Sequence, residues 1–138
     1  MGYELTHITD QLVQPNANVL FDANPVRGER GVTHRAGAGI VNLNGCATRC
    51  GARFLALFSA NIAIPTGGTV EAISLALALE GEPLGSATMI VTPAAVENFW
   101  NVAAFVYVDV PPCGDTSLTV RNTSTQAITV QNANLIIP

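Results

Sequence analysis

Residues 98–110 have the sequence NFWNVAAFVYVDV, and this stretch decides the fold class. Successive side chains of a β-strand point to opposite faces. The odd-numbered positions carry Phe105 and Tyr107, while the even-numbered positions run from Trp100 through valines and an alanine to Val110. Both faces are apolar, so the stretch predicts a long strand that is covered on both sides.

The chain around this stretch shows the same period of two, interrupted by turn residues. From residue 53 to residue 64 every even-numbered position is apolar, and 65–68 predicts a turn. Residues 69–79 place isoleucine or leucine at alternate positions before a turn at 80–83. Shorter strands are predicted at 18–21, 32–35, 39–43, 88–92, 117–122, 127–130 and 134–137, with 117–122 and 127–130 pairing as a hairpin. The one helical alternative is 72–79, which is rich in alanine and leucine, but the glycines at 67–68 and 81 bracket too short a stretch for a helix. The pattern predicts an all-β sandwich or jelly roll of eight to ten antiparallel strands.

The composition predicts that the chain does not work alone. Charged residues make up 12% of the 138 residues, lysine is absent, and 49% of the residues are hydrophobic. A typical domain has about 25% charged residues, so a monomer of this size lacks the charges to cover its surface. We therefore predict an obligate oligomer. Its interface would contain Phe105, Tyr107 and Ala103, with Trp100 packed in the core on the opposite side of the strand.

The first fourteen residues have no clear period. They predict an N-terminal arm over 1–14, followed by a jelly-roll domain over 15–138. The apolar residues of the arm, Tyr3, Leu5, Ile8 and Leu12, are the candidates for docking on a larger particle, since such arms order on binding. The alternative is that the segment is a capping strand of the domain itself. No signal peptide or membrane span is visible, so we expect synthesis in the cytoplasm and no membrane partner.

No pattern in the sequence predicts catalysis. His7 and His34 lie in no nucleophile motif, and no glycine-rich loop is followed by the lysine and helix of a phosphate site. The net charge of −4 argues against a nucleic-acid partner. We expect no enzyme and no cofactor.

The cysteines and the acidic turn predict no metal site. Cys46 and Cys50 are spaced as CxxxC, and Cys113 makes the cysteine count odd. The sequence leaves two alternatives for the cysteines: three free thiols, or one disulfide and one free thiol. Glu80 and Glu82 could ligate calcium, but a solvated turn is the preferred interpretation.

Several segments between residue 54 and the C-terminus carry a family resemblance. They are 58–62 (FSANI), 68–70 (GTV), 73–77 (ISLAL), 80–83 (EGEP), 108–111 (VDVP), 118–122 (LTVRN) and 130–135 (VQNANL). These segments resemble bacterial domains of the tumour-necrosis-factor and complement-globular-head superfamily, above all the head domains of spore-surface collagen-like proteins and prophage-borne proteins. The resemblance implies a ten-stranded jelly roll that assembles as a homotrimer about an apolar axis. It does not extend to a collagen stalk, because no Gly-X-Y repeat precedes the domain.

Together these features predict a non-enzymatic structural protein, a homotrimeric jelly roll that decorates the capsid of a bacteriophage-type particle and is located on the virion surface. The alternative is a receptor- or glycan-binding tip of a phage fibre or a bacterial adhesin, located on a cell or spore surface. Exposed aromatic residues clustered at one end would favour the alternative, and Trp100 and Tyr3 are the candidates.

Overall fold

Eleven strands form in the part of the chain that the computed structural model describes, residues 2–28, 31–45 and 52–138. In chain order they are β1 (Tyr3–His7), β2 (Gln11–Val13), β3 (Ala23–Val26), β4 (Val32–His34), β5 (Val41–Asn44), β6 (Ala52–Ala63), β7 (Ile73–Leu79), β8 (Glu82–Val91), β9 (Trp100–Val110), β10 (Asp115–Asn122) and β11 (Ile128–Ile137). Within these residues no helix is long and apolar enough to span a membrane. Cys46 and Cys50 lie outside the described residues.

The strands form two antiparallel sheets that pack face to face. Sheet A has the order β3-β1-β11-β6-β9, with β2 also paired to β11, and sheet B has the order β4-β5-β10-β7-β8. The two inner faces fill a core in which Phe21, Phe58, Leu75, Leu118 and Leu135 are at most 2% exposed. The all-β sandwich predicted from the sequence is confirmed.

The long strands β6 and β9 follow the predicted alternation. They pair over eleven positions, from Ala52 opposite Val110 to Ile62 opposite Trp100. The even-numbered side chains of β6 from residue 56 to residue 62 are buried, and so are Val102 and Val108 of β9. The apolar positions at a spacing of two therefore mark the inner face of sheet A.

The β7–β8 hairpin closes within the turn predicted at 80–83. Glu80 and Gly81 have φ angles of 53° and 82°, which is the left-handed conformation that two-residue hairpin turns require and that glycine adopts readily. Leu79 pairs directly with Glu82 across this turn. The strand predicted at 88–92 therefore begins at residue 82, and the strand predicted at 69–79 begins only at Ile73.

The hairpin predicted between 117–122 and 127–130 is wrong. β10 pairs with β5 and β7 in sheet B, whereas β11 pairs with β1, β2 and β6 in sheet A. Asn122 fixes the point where the chain crosses between the sheets. Its buried Nδ2 donates to the carbonyls of Val13 and Gln126 at 2.9 and 3.0 Å, and its Oδ1 accepts from the N–H of Ser124 at 2.8 Å.

Residues 2–14 belong to the sandwich, and the arm predicted over 1–14 is not a separate element. β1 lies between β3 and β11, and β2 pairs with the first residues of β11. Tyr3, Leu5 and Val13 are 6%, 0% and 3% exposed and form part of the core. The domain boundary predicted at residue 14 has no counterpart in the fold, which agrees with the alternative of a capping strand.

The strand predicted at 18–21 does not form. The segment instead runs beside β10 and makes one isolated bridge, in which Asn18 pairs with Arg121. The N–H of Val19 donates to the carbonyl of Val120 at 2.7 Å, and the N–H of Asn122 donates to that of Ala17 at 2.9 Å. β3 then passes through the dipeptide Asn24-Pro25. β3 is the edge of sheet A, where a proline without an N–H is tolerated.

Candidate self-association surface

Cross-strand rows build the outer face of sheet A, because directly paired residues of antiparallel strands point to the same side. One row crosses the five strands from β3 to β9 and consists of Val26, Glu4, Ile136, Leu57 and Phe105. Four of these five side chains are apolar. A sheet face turned toward water normally carries polar side chains, so this row marks a face suited to contact with another surface.

The apolar character is strongest at the β9 edge of this face. Phe105 is 71% exposed, the highest value for a large hydrophobic side chain in the described residues, and Tyr107 is 66% exposed. Their partners across the sheet, Leu57 and Leu55, are half-buried. β9 is the last strand of sheet A, so no further strand covers these rings. Ala103 is exposed on the same face, and the three residues predicted for a subunit interface therefore lie together; the contact itself stays a prediction.

An ion pair lies at one end of the apolar region formed by Phe105, Tyr107 and their cross-strand partners. Arg53 Nε donates to Asp109 Oδ1 at 2.7 Å, and Arg53 Nη2 donates to Asp109 Oδ2 at 3.1 Å. The guanidinium also lies 5.7 Å from the ring centroid of Tyr107, within cation–π range. The hydrogen bond lowers the pKa of Asp109 and raises the pKa of Arg53. Since both groups are fully exposed, their net effect on the stability of one chain is small.

A chain of side-chain hydrogen bonds closes the other end. Asn101 Nδ2 donates to Asn61 Oδ1 at 3.1 Å, Asn61 Nδ2 to Gln131 Oε1 at 3.4 Å, and Gln131 Nε2 to Asp10 Oδ1 at 3.0 Å. All three hydrogen bonds run in the same direction along this chain of side chains, and the carboxylate of Asp10 is the last acceptor. The sequence analysis missed this polar chain and the contributions of β1, β3 and β11, because both depend on which distant strands are neighbours.

The residues predicted to dock on a particle fall into two groups. Tyr3 and Leu5 are buried in the core and cannot dock. Ile8 and Leu12 are 69% and 57% exposed, so they are available on the surface. Trp100 departs from the expectation of a core position. It is 50% exposed, because it is the first residue of β9 and lies at the end of the ladder with β6.

The histidines and the acidic turn are engaged in local contacts. His34 is 7% exposed, and its ring nitrogens lie 2.6 Å from Asn24 Oδ1 and 2.8 Å from the carbonyl oxygen of Ala38. His7 Nδ1 lies 2.9 Å from the carbonyl oxygen of Thr9. Glu80 Oε1 accepts from the N–H of Ser117 at 2.9 Å. These contacts hold turns and strand ends in place.

Metal-ligand clusters are absent from the described ranges: no three His, Cys, Asp or Glu side chains there lie close enough to hold an ion. Cys113 is a free, exposed thiol in the turn after β9.

No family model matches the chain, and no curated protein sequence matches it. Solved structures do. The chain is similar to Eiger TNF from S. frugiperda, with a TM-score of 0.68, 13% identity, and coverage of 99% of this chain and 90% of that chain. It is also similar to murine APRIL at pH 5.0, with a TM-score of 0.63, 12% identity, and coverage of 99% and 98%. The globular domain of zebrafish complement 1qA gives a TM-score of 0.63, 9% identity, and coverage of 99% and 92%.

At these identities the likeness concerns the fold, which is a TNF-like jelly roll as the resemblance implied. The spore-surface and prophage part of the resemblance stays a prediction.

Proposed function

We propose that this chain is a non-enzymatic module that assembles as a homotrimer through the outer face of sheet A. The observation that carries the proposal is the row from Val26 to Phe105, in which every side chain but Glu4 is apolar, continued by the exposed ring of Tyr107. Contiguous apolar surface of this kind marks interaction sites in soluble proteins. The edge of β9 adds a second reason, since a long unpaired edge strand invites association unless it is covered.

The superfamily resemblance supports three copies rather than two, because the jelly rolls of that superfamily assemble about an apolar three-fold axis. The low charge of the chain supports burial of a large part of its surface. The polar ends of the face, Arg53 with Asp109 and the amide chain ending at Asp10, flank the apolar region and would limit how two copies slide along each other.

Hydroxyl-radical footprinting tests this face directly. Oxidation of Phe105 and Tyr107 should be slow at high protein concentration and should accelerate on dilution, because dilution separates the chains. Trp100, which is half-exposed and on the inner-facing side of β9, serves as the internal control and should oxidise at the same rate throughout. Equal oxidation of Phe105 at all concentrations would exclude this face as the interface.

We further propose that the trimer decorates a bacteriophage-type capsid, on the virion surface. Support comes from the absence of lysine, the low charge and the two exposed apolar residues Ile8 and Leu12 near the start of the chain. Because Tyr3 and Leu5 are in the core, docking would use Ile8 and Leu12 on a folded domain rather than a free arm.

Co-sedimentation with capsids tests the docking role. The double variant Ile8→Asp, Leu12→Asp should stay trimeric and lose its capsid binding. Ile90→Asp is the matched control, because Ile90 is 65% exposed and belongs to β8 of sheet B. Normal co-sedimentation of the double variant would refute docking through these residues.

One observation favours a second candidate, a receptor- or glycan-binding tip. The indole of Trp100 is half-exposed, and the side chain of Asn98 nearby in the chain is also exposed. An aromatic face beside amide groups offers both stacking and hydrogen bonds to a sugar. A glycan array with the wild type and Trp100→Ala separates the two functions: signals that vanish in the variant favour the tip, and an empty array favours decoration.

A further inference from the structure

His34 is a buried titratable side chain whose two ring nitrogens both face oxygen atoms. It is the last residue of β4 and is 7% exposed. Nδ1 lies 2.6 Å from Asn24 Oδ1, and Nε2 lies 2.8 Å from the carbonyl oxygen of Ala38. Amide and carbonyl oxygens accept hydrogen bonds and cannot donate them. Both contacts are therefore hydrogen bonds only if both ring nitrogens carry a proton.

These contacts connect strands of different sheets. Asn24 belongs to β3, at the edge of sheet A, and His34 belongs to β4, at the edge of sheet B. Asn24 Nδ2 also donates to the carbonyl oxygen of His34 at 3.3 Å. Among the described strands no backbone ladder pairs β3 with β4, so these side-chain contacts join the two edges.

The charge of the ring decides how many of the contacts are hydrogen bonds. An imidazolium has two N–H groups, whereas a neutral imidazole has one. The charged ring of His34 donates to Asn24 Oδ1 and to the carbonyl of Ala38, while Asn24 keeps its own bond to the carbonyl of His34. The charged ring thus makes all three hydrogen bonds at once.

A neutral ring cannot keep all three. With its proton on Nδ1, Nε2 would be an acceptor facing the carbonyl oxygen of Ala38. With its proton on Nε2, Nδ1 would be an acceptor, and the amide of Asn24 would have to turn over to donate to it. That rotation places Oδ1 of Asn24 against the carbonyl oxygen of His34. In either case one buried or half-buried group loses its partner, which costs free energy.

The charged groups near His34 do not replace these acceptors. Within the described residues, no Asp or Glu oxygen lies within 4.0 Å of either nitrogen of this ring. The histidine of β1, His7, has its own contacts with Thr9 and Asp22. On β5 the residue opposite His34 is the apolar Val41. The charged side chains on the segments next to Asn24 and His34 in the chain are all exposed, and they are Asp22, Arg27 and Arg35.

We propose that His34 and Asn24 form a pH-sensitive switch at this edge of the sandwich. When the ring releases a proton to water, the amide of Asn24 turns over to donate to Nδ1, and its hydrogen bond to the carbonyl of His34 is lost. Histidine is the side chain that changes its charge near neutral pH. The connection between β3 and β4 is therefore complete in acid and weakened in base.

Nuclear magnetic resonance on the full chain tests the switch. The ring nitrogen signals of His34 count its N–H groups, and the side-chain amide signals of Asn24 report the partners of that amide. Between about pH 5 and about pH 8 the ring should change from two N–H groups to one, and the Asn24 signals should shift with the same midpoint. A ring with the same number of N–H groups throughout would overturn the switch. Asn24 signals that do not change while the ring loses its proton would overturn it too.

A control variant shows which histidine is responsible. His7→Gln removes the other histidine, so the shift of the Asn24 signals should persist in this variant. Loss of the shift would assign the pH response to His7 and overturn the proposal. The amide of Asn61 bonds to Gln131 within sheet A, so its signals should not follow the His34 ring.

A second variant tests the direct contact between Asn24 and the ring. Asn24→Asp places a carboxylate at Nδ1, which cannot donate to a neutral ring and favours the charged one. The ring should keep both N–H groups to a pH higher by about one unit or more. Asn98→Asp adds the same charge at an exposed position just before β9, the other edge of sheet A, and should leave the His34 midpoint unchanged. Equal midpoints in the two variants would overturn the contact.

Discussion

Replacing Phe105 by alanine should dissociate the assembly while leaving the single chain nearly as stable as before. A phenylalanine side chain buries about 150–250 Å² when fully covered, and 71% of Phe105 is exposed in one chain. About 140 Å² is therefore available for burial, worth about 3.5 kcal/mol at about 25 cal/mol per Å². Alanine keeps the Cβ, so the loss is about 3 kcal/mol per chain and about 9 kcal/mol per trimer.

This loss translates into a measurable shift in concentration. At about 1.4 kcal/mol per factor of ten, the trimer dissociation constant rises by about six orders of magnitude. Since that constant has units of concentration squared, half-dissociation moves by about a thousandfold. Chemical denaturation of the monomer should change by less than about 0.5 kcal/mol, as for other exposed positions.

Sedimentation equilibrium from nanomolar to high micromolar concentration measures the shift. Ile90→Ala is the matched control, because Ile90 is 65% exposed but belongs to β8 of sheet B. Half-dissociation of the Phe105 variant within about threefold of the wild type would refute the assignment of this face, as would an equal shift in the Ile90 control.

Three further outcomes follow from particular contacts. Leu5→Ala should lower the free energy of unfolding by about 2–5 kcal/mol in urea titrations, because Leu5 is fully buried. A change below about 0.5 kcal/mol would show instead that the first residues form an arm outside the folded domain. Asn122→Ala should cost about 3 kcal/mol in the same assay, since it leaves one buried and two partly buried backbone groups without their hydrogen bonds to this side chain; an unchanged midpoint would contradict its role at the crossing. In NMR titrations the midpoint of Asp109 should lie below the ordinary value and rise in Arg53→Ala, because the ion pair is present at neutral pH and is lost only as acid protonates the carboxylate; identical midpoints would show that the pair does not form in solution.

Local periodicity was sufficient to predict a strand and its inner face where the strand is long and apolar residues alternate along it without interruption. β6 and β9 were predicted from alternation alone, and the same alternation placed Phe105 and Tyr107 on the face that is exposed. The face to which a side chain of these strands points depends only on whether its position in the strand is odd or even. That information can be read directly from the sequence.

Non-local pairing accounts for most of what the sequence analysis missed. β1 has five residues and β2 has three, too few for a period to show, and both pair with β11 at the other end of the chain. β10 and β11 follow each other closely, yet they belong to different sheets. In a jelly roll, neighbours in sequence are often not neighbours in a sheet, so local turn signals mispredict such pairs.

Light scattering on the wild-type chain eluting from a size-exclusion column tests the central claim most directly. Self-assembly through the outer face of sheet A predicts a single species of about 43 kDa at micromolar concentration, three times the chain mass of 14.4 kDa. A mass of 14.4 kDa across the micromolar range would contradict the assembly, and a stable species of twice the chain mass would contradict its three-fold symmetry.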